Sequence, residues 1–336
     1  MKKFIVLLLM FCFVLVGSQA GEAAGEVRIS SLGYLRGVVE DLIIDSRQNP
    51  AQLIMANEDK LIFSDTELYL SSDNNRVSGT PHLIYRINEQ TVVSGDLDLN
   101  IYRAENYSET IFAPKGSIAY QIDEFLTIGG AFGFNILSDG DNSDQEIVLQ
   151  TGFNYDVSEH LVVDGSFGLN TYGNVNSDDN RLQLYVRGKN IMTESYDLII
   201  DADLRFNDDN NEQRFNVGQN FDIYDSLVAH GIRLYNEEDL TSITWRWGIE
   251  KEVIEDLTLR TGGSSNVFEI DKRGNRDYVG LRTPHINPGI GASYNISDQM
   301  AVDFNLGYGD NYIEIGSDHD DSTTGLNLNF SVTTKL

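Results

Sequence analysis

Cysteine is all but absent from this chain. Its one copy, Cys12, lies inside an apolar run, Phe4 to Val16, that follows Lys2 and Lys3 and precedes Ser18-Gln19-Ala20. A short basic stretch, an apolar run of about thirteen residues and a small-x-small site describe a secretory signal peptide over residues 1–20, and the run is short for a spanning helix. The bulky Leu9-Met10-Phe11 before Cys12 does not resemble a lipoprotein box. Cleavage after Ala20 would leave a mature chain without cysteine, which excludes disulfides and thiolate metal sites.

Basic residues are scarce as well. Without Lys2 and Lys3, 22 of them face 52 acidic residues, a net charge of −30. Such a surface repels nucleic acid. Proline numbers 5, and after the signal no stretch approaches the ~20 apolar residues that a membrane helix requires. An exported chain can still span a membrane as a closed β-barrel, because its backbone groups pair between strands. About 316 residues is a size at which one large barrel needs no second domain.

Aromatic residues, by contrast, are plentiful, with 16 tyrosines and 16 phenylalanines, and they mark a repeat. The pattern is aromatic, polar, Ile/Val, polar, Asp/Glu, any, Leu/Met. It reads from Tyr120 to Leu126, Tyr155 to Leu161, Phe221 to Leu227 and Tyr294 to Met300, with weaker copies at Tyr85, Lys251 and Met55 and a slipped one near Ile191 to Tyr196. Most acidic centres fall 30 to 35 residues apart. Strands of period 2 flank each copy. Val302, Phe304, Leu306 and Tyr308 alternate with Asp303, Asn305 and Gly307; Leu198, Ile200, Ala202 and Leu204 alternate with Asp197, Ile199, Asp201 and Asp203. Midway between copies lie acidic loops such as Ser138 to Asp144, Asn207 to Asn211 and Gly316 to Asp321.

Tight turns alternating with looser polar loops are the plan of outer-membrane barrels, with the turns on the periplasmic side. The aromatic residue leading each turn shares the apolar face, so Tyr85, Tyr120, Tyr155, Phe221 and Tyr294 fall at one depth as a periplasmic aromatic girdle. The chain resembles bacterial outer-membrane porins over roughly residues 60–336, most strongly from Gly291 to Tyr308. The resemblance is to the class and to no single family. Such barrels usually end in Phe or Trp, whereas Leu336 ends this chain.

The expected fold is therefore all-β: a transmembrane antiparallel barrel over residues 58–336, of about 16 strands, with 14 or 18 as alternatives. The strands fall near 60–70, 77–87, 91–102, 109–121, 125–137, 145–157, 161–172, 181–191, 195–206, 213–223, 227–235, 241–252, 257–269, 286–296, 300–312 and 324–334. Sixteen strands leave an aqueous lumen. Residues 21–57 read two ways. Leu35, Val38, Val39, Leu42 and Ile43 sit at helical spacing, as in a short helix that plugs the lumen or lies in the periplasm. Equally, Val27–Tyr34 and Pro50–Asn57 could add two strands.

Function is sought on the inner wall. Alternation places Asp96, Asp98, Glu146, Asp164, Asp197, Asp201, Asp203, Glu250 and Asp303 inward, with Arg181, Arg187, Lys189, Arg205 and Arg246 opposing them. Acidic rings bias a pore toward cations. Residues 270–285 form the longest external connection and the one basic loop. Its Lys272, Arg273, Arg276 and Arg282 could narrow the pore or touch anionic lipopolysaccharide. The acidic loops lack the full EF-hand pattern. Among the histidines, His82 faces inward with no serine or acid beside it that completes a recognisable set, and no G-x-S-x-G, H-E-x-x-H or phosphate loop is present. The expectation is a passive outer-membrane pore for ions and small hydrophilic solutes, weakly cation-preferring and without catalysis or cofactor. Its partners are outer-membrane lipid and lipopolysaccharide, and the porin resemblance allows a homotrimer. A non-conducting structural or surface-display barrel is the alternative; an outer-membrane hydrolase ranks behind it.

Overall fold

The chain is described here from a computed structural model, which covers residues 26–32, 35–70, 74–104, 108–139, 142–172, 180–207, 211–272, 278–280, 287–297, 299–310 and 324–335. The expected signal peptide and Leu336 lie outside these residues.

The alternating segments form β1 (Lys60–Leu70), β2 (Asn74–Asn88), β3 (Thr91–Ala104), β4 (Ser108–Gln121), β5 (Leu126–Asp139), β6 (Asn142–Ser158), β7 (Leu161–Tyr172), β8 (Arg181–Thr193) and β9 (Tyr196–Phe206). They continue as β10 (Asn211–Asp222), β11 (Ser226–Glu237), β12 (Leu240–Ile254), β13 (Leu257–Asp271), β14 (Tyr278–Gly280), β15 (Asn287–Ser297), β16 (Met300–Asp310) and β17 (Thr324–Lys335). Neighbours in sequence pair antiparallel, and β17 returns to β1 with Leu61 opposite Lys335 and Ser64 opposite Val332. The sheet therefore closes into a transmembrane barrel of sixteen strands, as the alternation predicts. Closure matters because an open edge in lipid would leave backbone N–H and C=O groups unpaired. Each expected strand lies within three residues of the observed one at both ends.

The seventeenth strand, β14, is a departure from the expected loop over 270–285. It pairs with Glu269 to Asp271 of β13, while β15 pairs with β13 only from Leu257 to Ser264. The loop-side end of β13 is thus completed by its own connection. Of the basic residues assigned there, Lys272 is described and exposed, and Arg273, Arg276 and Arg282 fall outside the described residues.

Period-2 alternation sorts the wall into two faces. On the outside, Ile200, Val217, Ile232 and Trp245 stand side by side across β9 to β12, 43–54% exposed, where lipid would cover them. Tyr85, Tyr120, Tyr155 and Tyr294 are also exposed, each close to a tight turn, and Lys60 Nζ lies 5.5 Å from the Tyr85 ring. Phe221 sits at the same end, stacked on Tyr196 at 4.8 Å. Next to it, Tyr224 (φ 50°) and Asp225 (φ 58°) make the two-residue turn from β10 to β11, a backbone twist that suits a right-twisted hairpin.

The segment ahead of β1 adds no strand among its described residues. It forms α1 (Glu26–Ser31), α2 (Leu42–Gln48) and a 3-10 turn over Pro50–Met55. The helical spacing from Leu35 to Ile43 does not make one helix. Gly37, at φ +78°, breaks it into a tight turn, where Val38 and Val39 both donate to the Leu35 carbonyl, and a separate α2. Asp41 caps α2 by accepting from the Ile43 and Ile44 amides at 3.2 and 3.1 Å. Asn49 ends α2 and caps the 3-10 turn, whose first residue, Pro50, has no N–H to lose. Those two residues are why Pro50–Asn57 is no strand.

Candidate functional site

The leading segment lies inside the barrel and crosses its lumen. Two apolar patches fix its ends. Near β1 the inner wall is apolar, contrary to the polar inner face that alternation suggested: Leu61, Phe63, Ile84, Val92 and Ala119 face inward. Ile43, Leu53 and Ala56 of the segment are buried against them. Across the lumen, Ile29, Leu32, Leu35, Val38, Val39 and Ile44 form a miniature core that rests on Ala229 of β11.

Glycines give this plug room to lie on bare wall. A Cβ on Gly129 of β5, Gly152 of β6 or Gly218 of β10 would overlap Ala51, Asn49 or Val38 respectively. One on Gly248 of β12 would come within 2.8 Å of the Leu32 carbonyl oxygen. These glycines lie a few residues in from the tight turns, so the plug occupies the turn-side part of the lumen.

Ion pairs and hydrogen bonds hold the remainder. Arg28 forks onto both Glu250 oxygens at 3.0 Å, a bidentate pairing that fixes direction as well as distance. Ser30 Oγ accepts from Asn305 and Asn329 at 2.8 and 3.1 Å. Glu40 receives Lys189 at 3.0 Å, and Arg47 meets Asp98. Arg187 lies between plug and wall, 3.0 Å from Asp45 of α2 and 2.7 Å from Asp164 of β7. Asn49 also donates to Asp164, at 3.2 Å. Burial pushes the Asp45 carboxyl up from 3.8 to about 6, against the opposing pull of Arg187.

The inward residues read from the sequence are thus found in the interior, largely engaged rather than hydrated. Asp96, Asp164, Arg187, Asp201, Asp203, Arg246 and Asp303 are buried. Asp303 pairs with Arg260 at 3.2 Å, Asp197 with Lys189 at 3.2 Å, and Asp203 with Arg205 at 3.2 Å and Gln183 at 2.8 Å. Glu146 accepts from Asn135, and Arg181 is exposed at the loop-side start of β8. His82 lies beside Asp96, its register partner on β3, at 3.6 Å from Nδ1. Neither ring nitrogen has a hydrogen-bond partner among the described residues. Sequence reading missed Lys115, Arg214, Arg233 and Arg260. Their alternation phase was available, since Arg214 and Arg233 flank the apolar Phe215 and Ile232.

Two cavities adjoin the plug. The larger, about 360 Å³, is on the loop side and is lined by six basic residues, Arg36, Arg47, Lys115, Arg205, Arg214 and Arg233, against four acids, Asp96, Asp98, Asp201 and Asp203. The smaller, about 300 Å³, opens toward the turns and carries Glu40, Glu194, Asp197 and Asp222 against Arg28. The two faces of the plug therefore differ in sign.

No protein-family model matches the chain, and no curated protein matches its sequence. Its fold, however, has solved counterparts. It is similar to the toluene transporter TodX of Pseudomonas putida, at 10% identity and a TM-score of 0.53, covering 95% of this chain and 100% of that one. It is likewise similar to CymD, a monoaromatic hydrocarbon channel, at 12% identity and a TM-score of 0.53, covering 96% and 98%. A bacterial polysaccharide outer membrane secretin matches at 11% identity and a TM-score of 0.57, covering 84% and 99%. At such identities the likeness is one of fold.

Proposed function

We propose that this protein is a channel of the bacterial outer membrane, closed in the state described by its own N-terminal plug. Small hydrophilic solutes diffuse through when the plug shifts. The carrying observation is the interface between plug and wall. Between its two apolar anchors it consists of ion pairs and amide hydrogen bonds, whose groups water can solvate once the plug shifts. A barrel meant only as a rigid scaffold would be better served by a continuous apolar filling. The tight turns face the periplasm in this reading, and the exposed band meets lipid.

The solute class follows from the larger cavity. Its lining is charged, with Ile44 the apolar side chain among it. The weak cation preference expected from the strand acids is not carried forward, because on the wall of that cavity Lys115, Arg205, Arg214 and Arg233 balance Asp96, Asp98, Asp201 and Asp203. A second reading, passage of hydrophobic solutes, draws on the fold shared with hydrocarbon channels and on the inward patch of Phe63, Ile84 and Val92.

Planar bilayers and proteoliposomes test both. Stepwise conductance, together with swelling in a small sugar, is the expected result. Folded protein that neither conducts nor admits sugar but accumulates toluene would move the assignment to the second reading. Folded protein that does none of these would leave only a structural barrel.

A further inference from the structure

Four guanidinium groups converge on the loop side of the plug. Arg36 is supplied by the turn at Gly37, Arg214 by β10, Arg233 by β11 and Arg246 by β12. Antiparallel register brings the strand residues together, since Arg233 pairs across to Asn216 and Arg246 to Gly231. Arg233 lies within electrostatic range of the other three and of one carboxylate, Asp201. Like charges gathered at this distance favour an anion between them, and partial exclusion of water strengthens the attraction.

The Asn216 amide oxygen accepts from Arg233 Nε at 3.1 Å and also from Arg246, while its nitrogen donates to Asp201 at 2.6 Å. A neutral acceptor between two cations fixes their positions without cancelling their charge. Arg214 is held separately, 2.8 Å from Glu212 and over the Tyr235 ring at 5.5 Å. Arg233 is different. Among the described residues it makes that one hydrogen bond and no ion pair, so the terminal N–H groups of its planar fork are left for something else. Beside it is the cavity of about 360 Å³, within the range that holds small organic molecules.

We propose that this cavity binds a small organic anion by its carboxylate or phosphate group, gripped by the fork of Arg233 and flanked by Arg36 and Arg214. The site names a solute class for the channel and rests on that reading for its use. Binding itself is measured without conduction, so either can fail alone.

The test is calorimetric titration of the folded full-length protein in a zwitterionic detergent at low salt, with four probes: succinate, glycerol phosphate, inorganic phosphate and the uncharged succinamide. Succinate or glycerol phosphate is expected to bind, the tighter one identifying the head group, and succinamide is not. Binding of inorganic phosphate alone would assign a free-phosphate site and overturn the organic ligand. Arg233→Gln should weaken binding about tenfold or more, the size of one charge-assisted hydrogen bond. Lys251→Gln, on the turn side of β12, should leave it unchanged. Heat-dependent electrophoretic mobility verifies that each variant is folded. Should Arg233→Gln not fold, Arg36→Gln at its exposed turn takes its place, with a severalfold loss expected. No heat from any anion, equal binding of succinamide, or an affinity untouched by the variant that folds would overturn the site.

Discussion

Arg187 reaches a carboxylate on the plug and another on the wall, and this makes it the residue on which docking turns. Removing its charge would leave Asp45 and Asp164 facing each other in a buried place, a loss of about 3–5 kcal/mol for a broken buried pair. Arg187→Gln should therefore raise the open probability of single channels, while folding of the barrel is retained. Asp45 adds a pH response. In the displaced plug its carboxyl meets water and titrates near 3.8, whereas in place it titrates near 6. The docked state thus holds the proton more tightly. Its advantage grows as pH falls from about 6, is complete below 3.8, and is lost as pH rises through 6. Lowering the pH from 7 to 5 should shift the equilibrium toward the closed channel by about tenfold. Asp45→Asn should flatten that part of the profile. Openings that become more frequent on acidification would contradict the assignment. Gly248 offers a steric counterpart. A valine there meets the backbone of Leu32, which cannot swing aside as a side chain would. Gly248→Val should expose the plug to added protease without changing the barrel's resistance to it.

The plug is joined to the barrel covalently only through the short stretch between Met55 and Lys60, so it can be deleted without cutting the wall. A chain lacking residues 26–56 should still close β17 on β1. It should show large, steady conductance steps where the full chain shows brief ones; equal step sizes would mean that the plug does not obstruct the path. Strands and plug were unequally legible in the sequence. A strand announces itself locally, since Val302, Phe304 and Leu306 separate from Asp303 and Asn305 whatever surrounds them. The plug draws its meaning from far away, as Arg28 does from Glu250, 222 residues on. Helical spacing from Leu35 to Ile43 was visible, but the break at Gly37 depends on a close approach to Asp201 that no local pattern carries. The inward phase of Arg214 and Arg233 could have been read from alternation. That Arg233 has no acid partner among the described residues could not, because partners are set by register between strands and by what fills the lumen.

At the scale of the whole molecule, the outer wall is the part that membrane physics constrains most. Ile232 stands between Val217 and Trp245 in the exposed band. Ile232→Arg should cost about 2–4 kcal/mol of folding free energy in lipid vesicles, and the same change at a loop end far less. A midpoint unchanged in urea titration would mean that lipid does not cover this row. Inside, the two cavities lie on opposite faces of the plug, a basic chamber toward the loops and an acidic one toward the turns. Two fixed-charge regions of opposite sign in series act on current as a junction does. One polarity of voltage drives mobile ions of both signs into the junction, and the other sweeps them out. With the plug in place, ions that pass it therefore move more readily one way than the other, and net leakage of salt is resisted because each chamber rejects the ion that its neighbour admits.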